Sequence, residues 1–160
     1  MTGPSSNHRL AGFTLTLYWG CISLGIGIPW LATIIVDLLK HGQSTGQALH
    51  QLRLHLFAPG YNLFLVGVLN AIPFVLFAVF ALFHLGGTSL QNRKVVMRRA
   101  TGVTVTSLGL IGLGLWIHIT TLWHPDAQGA LVYFFLPMVL VSLIPVGYAA
   151  GRGLGILLFR

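Results

Sequence analysis

Two aspartates and seven histidines hold almost all of the acid–base chemistry in this 160-residue chain, which has no glutamate. Five of the histidines, His41, His50, His55, His118 and His124, map toward the same end of the long apolar segments. Imidazole changes charge between pH 5 and 8, so such a group suits a proton relay, a pH sensor or a metal site. The spacing works against metal. His50 and His55 are five apart, which does not stack two ligands on one helix face, and no HExxH or Cys/His zinc pattern is present. The competing reading treats His41, His50, His55 and His124 as an external cluster of interfacial histidines, apolar in body and polar at the tip. No metal and no cofactor are expected.

His118 and Asp37 stand apart because each lies inside an apolar segment. An ionisable residue at such a depth faces the interior of a bundle and takes a partner. Asp37 is the only acid within any apolar segment, and its depth matches that of His118, so the two are expected to pair. Lys40 and His41, three and four residues beyond Asp37, compete for it on the same helix. Thr104, Ser107, Ile111, Gly114, His118 and Thr121 recur at heptad-like spacing, opposite Leu108, Leu115, Ile119 and Leu122. The polar and small stripe should face other helices and the leucines lipid. Ser107, Thr121 and Asn70 are the expected bundle-lining polar residues, and Asn70 lies near Pro73 at a polar, kinked centre of its segment.

The elements that must position these residues follow from composition. Hydrophobic residues make up 55% and charged residues 7%, against roughly 25% charged in a soluble domain. About 20 apolar residues cross a bilayer. Four segments qualify, roughly 13–39, 61–85, 103–123 and 131–149, and Pro29 is expected to kink the first. The fold class read here is an all-α membrane protein: one domain of four transmembrane helices in an antiparallel bundle, preceded by a loose tail over residues 1–10. In the loop 41–59, Ser44 or Thr45 can cap a helix, and Leu49, Leu52 and Leu56 recur at helical spacing. That predicts a short amphipathic helix over about 44–57, its leucines toward the membrane.

Charge orients the bundle. Arg9, Arg93, Lys94, Arg98, Arg99, Arg152 and Arg160 fall on one side, and only Lys40 and Arg53 on the other. The bias puts both termini in the cytoplasm and the amphipathic helix outside.

Several function classes are excluded by what is missing. The net charge of +7 sits between apolar runs, where it sets topology and touches anionic headgroups, so no nucleic-acid partner is expected. A single cysteine, Cys21, permits no internal disulfide or CxxC pair. There is no GxSxG and no spare carboxylate for a general base, so no enzyme is expected. Glycines 109, 112 and 114, like 151, 153 and 155, follow no strand and carry no dinucleotide signal; close helix packing explains the first set. The remaining reading is a small inner-membrane protein acting by helix contact with a membrane-protein partner, as an accessory subunit or an immunity-type protein, or with copies of itself. The alternatives are a subunit of an oligomeric transporter or channel, and a haem- or quinone-binding redox subunit in which His55 and His118 would be the matched pair.

Overall fold

The computed structural model describes residues 4–59, 62–86, 93–125 and 129–159, with side-chain surroundings from residue 16 onward except at residues 86 and 130. These residues form five helices: α1 (Pro4–Leu39), α2 (Thr45–His55), α3 (Leu63–Gly86), α4 (Arg93–Trp123) and α5 (Gly129–Leu158). All but α2 contain a stretch long and apolar enough to cross a membrane. The secondary structure of the described residues is thus all-helical, with four apolar helices that mark an integral membrane protein.

The helices outrun their apolar cores. α1 is helical from Pro4 rather than a loose tail to residue 10; proline is tolerated in a first turn because its missing N–H has no acceptor there. α4 begins at Arg93, ten residues before the apolar segment, and α5 runs through Arg152 to Leu158. Lys, Arg and Leu are good helix formers, so the hydrocarbon edge ends an apolar run without ending a helix. Asn62 caps α3, its side-chain oxygen accepting from the Leu65 N–H at 2.9 Å.

The loop helix α2 starts where capping chemistry requires. The Ser44 hydroxyl accepts from the Gln47 N–H, while the Gln47 side chain accepts from the Ser44 N–H at 2.9 Å, a reciprocal capping box. Gly42, in the left-handed region at φ 63°, turns the chain from α1 into α2. Ala48 is the residue α2 buries, whereas Leu49 is exposed and Leu52 and Leu56 are half-buried. The leucine stripe is therefore turned partly aside, because the small Ala48 lets α2 settle closely on its neighbours.

α4 packs most extensively along α5, and α1 along α3; α1 with α4 and α3 with α5 complete the ring. Around the bundle the order is α1, α3, α5, α4. The two parallel helices α1 and α4 are neighbours, and α3 and α4, consecutive in sequence, face each other across the weakest of these contacts. A shared core of Ile28, Phe74, Phe77, Leu110, Leu136, Leu140 and Ile144 fills the interior.

Glycines set how closely the helices approach. A Cβ on Gly25 would lie 2.5 Å from the Ala71 Cα, and one on Gly151 would lie 2.8 Å from the Gly102 Cα. Gly155 meets Arg98 in the same way, and Gly147 lies against Thr106. The tight set on α5 is thus 147, 151 and 155, four apart. The set at 109, 112 and 114, expected to serve close packing, is looser: nothing lies within 4 Å of a Cβ built on Gly112.

Candidate functional site

The interior polar site begins with a proline. Pro29 has no N–H, so the carbonyl four residues back, at Gly25, has no partner within α1. In hydrocarbon such a carbonyl must be met from elsewhere. Asn70 on α3 meets it: Nδ2 donates to the Gly25 oxygen at 2.7 Å, with Asn70 only 2% exposed. That bond fixes the carboxamide, because only the NH₂ can donate to a carbonyl. The Asn70 Oδ1 therefore faces Nε2 of His118 at 3.3 Å. An amide oxygen only accepts, so Nε2 carries the proton. His118, 1% exposed, also stacks on Tyr133 of α5 with ring centroids 5.4 Å apart. A peptide carbonyl, a carboxamide, an imidazole and a phenol ring thus tie all four long helices together.

His118 does face the interior, but its partner is Asn70 and not Asp37. Asp37 pairs instead with His41, Oδ1 to Nδ1 at 3.0 Å. The expected pairing fails although α1 and α4 are adjacent, because the azimuth of His118 on α4 points it at α3. The stripe is also displaced. α4 buries Gly102, Thr106, Leu110, Gly114 and His118, spaced by four, while Thr104 is exposed and Ser107 half-buried. The four-residue ridge of Gly147, Gly151 and Gly155 selects a matching ridge on α4 rather than a heptad. Thr121 bonds back to the Ile117 carbonyl at 2.8 Å.

A second polar site lies at the end of the bundle where α1 and α4 stop. Asp37, 9% exposed, lines a cleft of about 360 Å³ with Thr33, Val36, His41, Gln43, Gln51, His55 and Leu122. Lys40, the nearest cation in sequence, donates to the Trp123 carbonyl at the end of α4 and makes no ion pair with Asp37. Of the four expected external histidines, His41 and His55 line this cleft; His50 and His124 are exposed outside its lining. Among the described residues no three of His, Cys, Asp and Glu are grouped to hold a metal ion. Asp126 lies outside the described residues.

A third feature lies on the outer surface of the bundle. Thr16, Gly20, Cys21 and Leu24 of α1 and Val103, Thr104, Ser107 and Leu108 of α4 line a lateral groove, with Phe77 at its back. Thr101, Thr106, Thr120 and Thr121 of α4 each return their hydroxyl to a carbonyl of their own helix. Thr104 and Ser107 make no such bond.

Sequence reasoning placed Asn70 and His118 inside but missed the Gly25 carbonyl, Tyr133 and Gln43. The carbonyl had a signal: any proline in a buried helix exposes the oxygen four residues before it. Comparison with protein-family models, curated proteins and solved structures finds no match to this chain. The fold defines a helical integral membrane protein with four helices long and apolar enough to cross a bilayer.

Proposed function

We propose that this is a small polytopic inner-membrane protein, both termini cytoplasmic and α2 external, that acts without catalysis by holding a transmembrane helix of a partner protein, as an accessory subunit or immunity-type protein. The orientation rests on the basic residues, seven against two. The contact reading rests on the groove between α1 and α4. Its Thr104 and Ser107 hydroxyls are unpaired toward hydrocarbon, where an unsatisfied polar group is costly and helices associate through small residues and interhelical hydrogen bonds. A partner helix seated there supplies the acceptors. Conduction through the single chain is disfavoured, because the Gly25 carbonyl, the Asn70 carboxamide and His118 Nε2 bond one another at the bundle centre rather than lining a path.

A photo-crosslinking amino acid at position 107, with position 146 on the exposed face of α5 as control, tests this in native membranes. A discrete adduct with another membrane protein at 107 and none at 146 is the expected result. An adduct of twice the chain mass makes the partner a second copy. Equal, diffuse labelling at both positions refutes the groove as a contact site.

A further inference from the structure

We infer that the cleft floored by Asp37 binds a small organic ammonium ion, its N–H donors taken by Asp37 and Gln43 and its alkyl part lying against Val36 and Leu122. This site is separate from the groove between α1 and α4 and does not depend on the partner-binding reading.

Four observations converge on a cationic hydrogen-bond donor with an apolar body. First, the Asp37 side chain is only 13% exposed, and a carboxylate so far buried needs compensation by a cation or by donors. Second, the chain supplies little. Lys40 donates to the Trp123 carbonyl and makes no direct ion pair with Asp37, and the ion-pair partner Asp37 does have is the His41 imidazole, which compensates only when protonated and whose side chain is 47% exposed. α2 brings Gln51 and His55 to the same cleft and no fixed positive charge, and α4 brings only Leu122. Third, Gln43 lines the cleft, and its side-chain oxygen, closed to solvent in this rotamer, has no donor within the chain, so a side-chain rotation that turns it into the cleft gains a bond it otherwise lacks. A carboxylate and an orphaned carboxamide oxygen both call for N–H donors. Fourth, the cleft is about 360 Å³, within the range of small-molecule sites, which are typically about 300–1,000 Å³. Its Val36 and Leu122 walls suit methylene groups. A transition metal fits less well, since among the described residues no three strong ligands are grouped.

The test uses the full chain in lipid nanodiscs with n-propylammonium chloride as probe. Tetramethylammonium chloride (no N–H donor), n-propanol (no charge) and sodium chloride (no alkyl body) serve as matched controls. Two readings are taken: the thermal unfolding midpoint, and the ring resonances of isotope-labelled histidines. The expected result is a saturable rise in midpoint with propylammonium alone, with shifts at His41 and His55 and none at His84 or His118. Asp37→Asn should weaken binding by roughly tenfold or more, the scale of one charge-assisted hydrogen bond, and Gln43→Leu by a smaller factor. The wild-type probe series decides the matter even if Asp37→Asn does not fold. Equal effects from tetramethylammonium, propanol or sodium, no effect from any probe, or shifts spread over all histidines would each overturn the assignment.

Discussion

The two tightest helix pairs reach contact by different means. α4 and α5 meet through glycine: Gly102, Gly147, Gly151 and Gly155 bring the backbones together, and a Cβ on Gly151 or Gly155 would lie within 3.0 Å of the facing helix. A side-chain bond reinforces them just past the end of α5, from Arg98 to the Phe159 carbonyl at 2.9 Å. α1 and α3 also have a close crossing, at Gly25 and Ala71, but it is pinned by polar bonds, from Asn70 to the Gly25 carbonyl and from Trp30 Nε1 to the Leu63 carbonyl at 3.2 Å. Lipid removes the hydrophobic drive between helices, so association must come from packing or from hydrogen bonds. One pair leans on the first, and the other combines both.

The comparison is most sharply broken at Gly25. Gly25→Ala pushes a methyl into the Ala71 backbone and displaces the carbonyl that Asn70 reads, so stability should fall on the order of 3 kcal/mol. Gly151→Ala meets only packing and should cost less, about 1–3 kcal/mol, while Gly153→Ala, with nothing within 4 Å of its Cβ, should be neutral. Steric-trapping measurements of unfolding in bicelles give the ranking; equal losses at 25 and 153 would show that the close crossing is not what holds α1 to α3.

Next in size is the polar pin itself. Asn70→Leu should cost about 1 kcal/mol, in the range of interhelical hydrogen bonds in membranes. In a Pro29→Ala background residue 29 regains an N–H that can close the Gly25 carbonyl, so the same Asn70→Leu change should cost measurably less. Additive losses in that double-mutant cycle would contradict the role given to Pro29. The smallest effect belongs to α2, outside both pairs. Ser44→Ala should cost about 0.5–1 kcal/mol locally, raising hydrogen exchange over residues 45–55 while leaving α1, α3, α4 and α5 protected.

The four long helices and the capped loop helix were legible in the sequence, because hydrophobic run length and the Ser44–Gln47 spacing act locally. So was burial: Asn70 and His118 were both expected inside the bundle, and both are buried. What the sequence did not show was azimuth and neighbour order. Charge logic alone paired His118 with Asp37, but α4 is rotated so that His118 meets a neutral carboxamide on α3. A heptad stripe through Thr104 and Ser107 was read on α4, whereas α5's glycines impose a spacing of four. That ridge sits among residues whose one-dimensional pattern also fits other spacings, so only the mating surface decides between them. The cleft at Asp37 was half legible: the acid and His41 were marked as neighbours, while the Gln43 acceptor depends on a turn made by Gly42.

Pro29 also has a consequence in time. During synthesis α1 enters the membrane before α3 exists, and from that moment the Gly25 oxygen is stranded in hydrocarbon. The donor that relieves it is encoded 45 residues later. Until Asn70 arrives, α1 has reason to stay near water, the translocon or a chaperone; once it arrives, one bond sets the vertical register of the two helices. A proline that opens its own helix is thus answered from the next long helix, and the fold of the first segment is complete only when the second is in place.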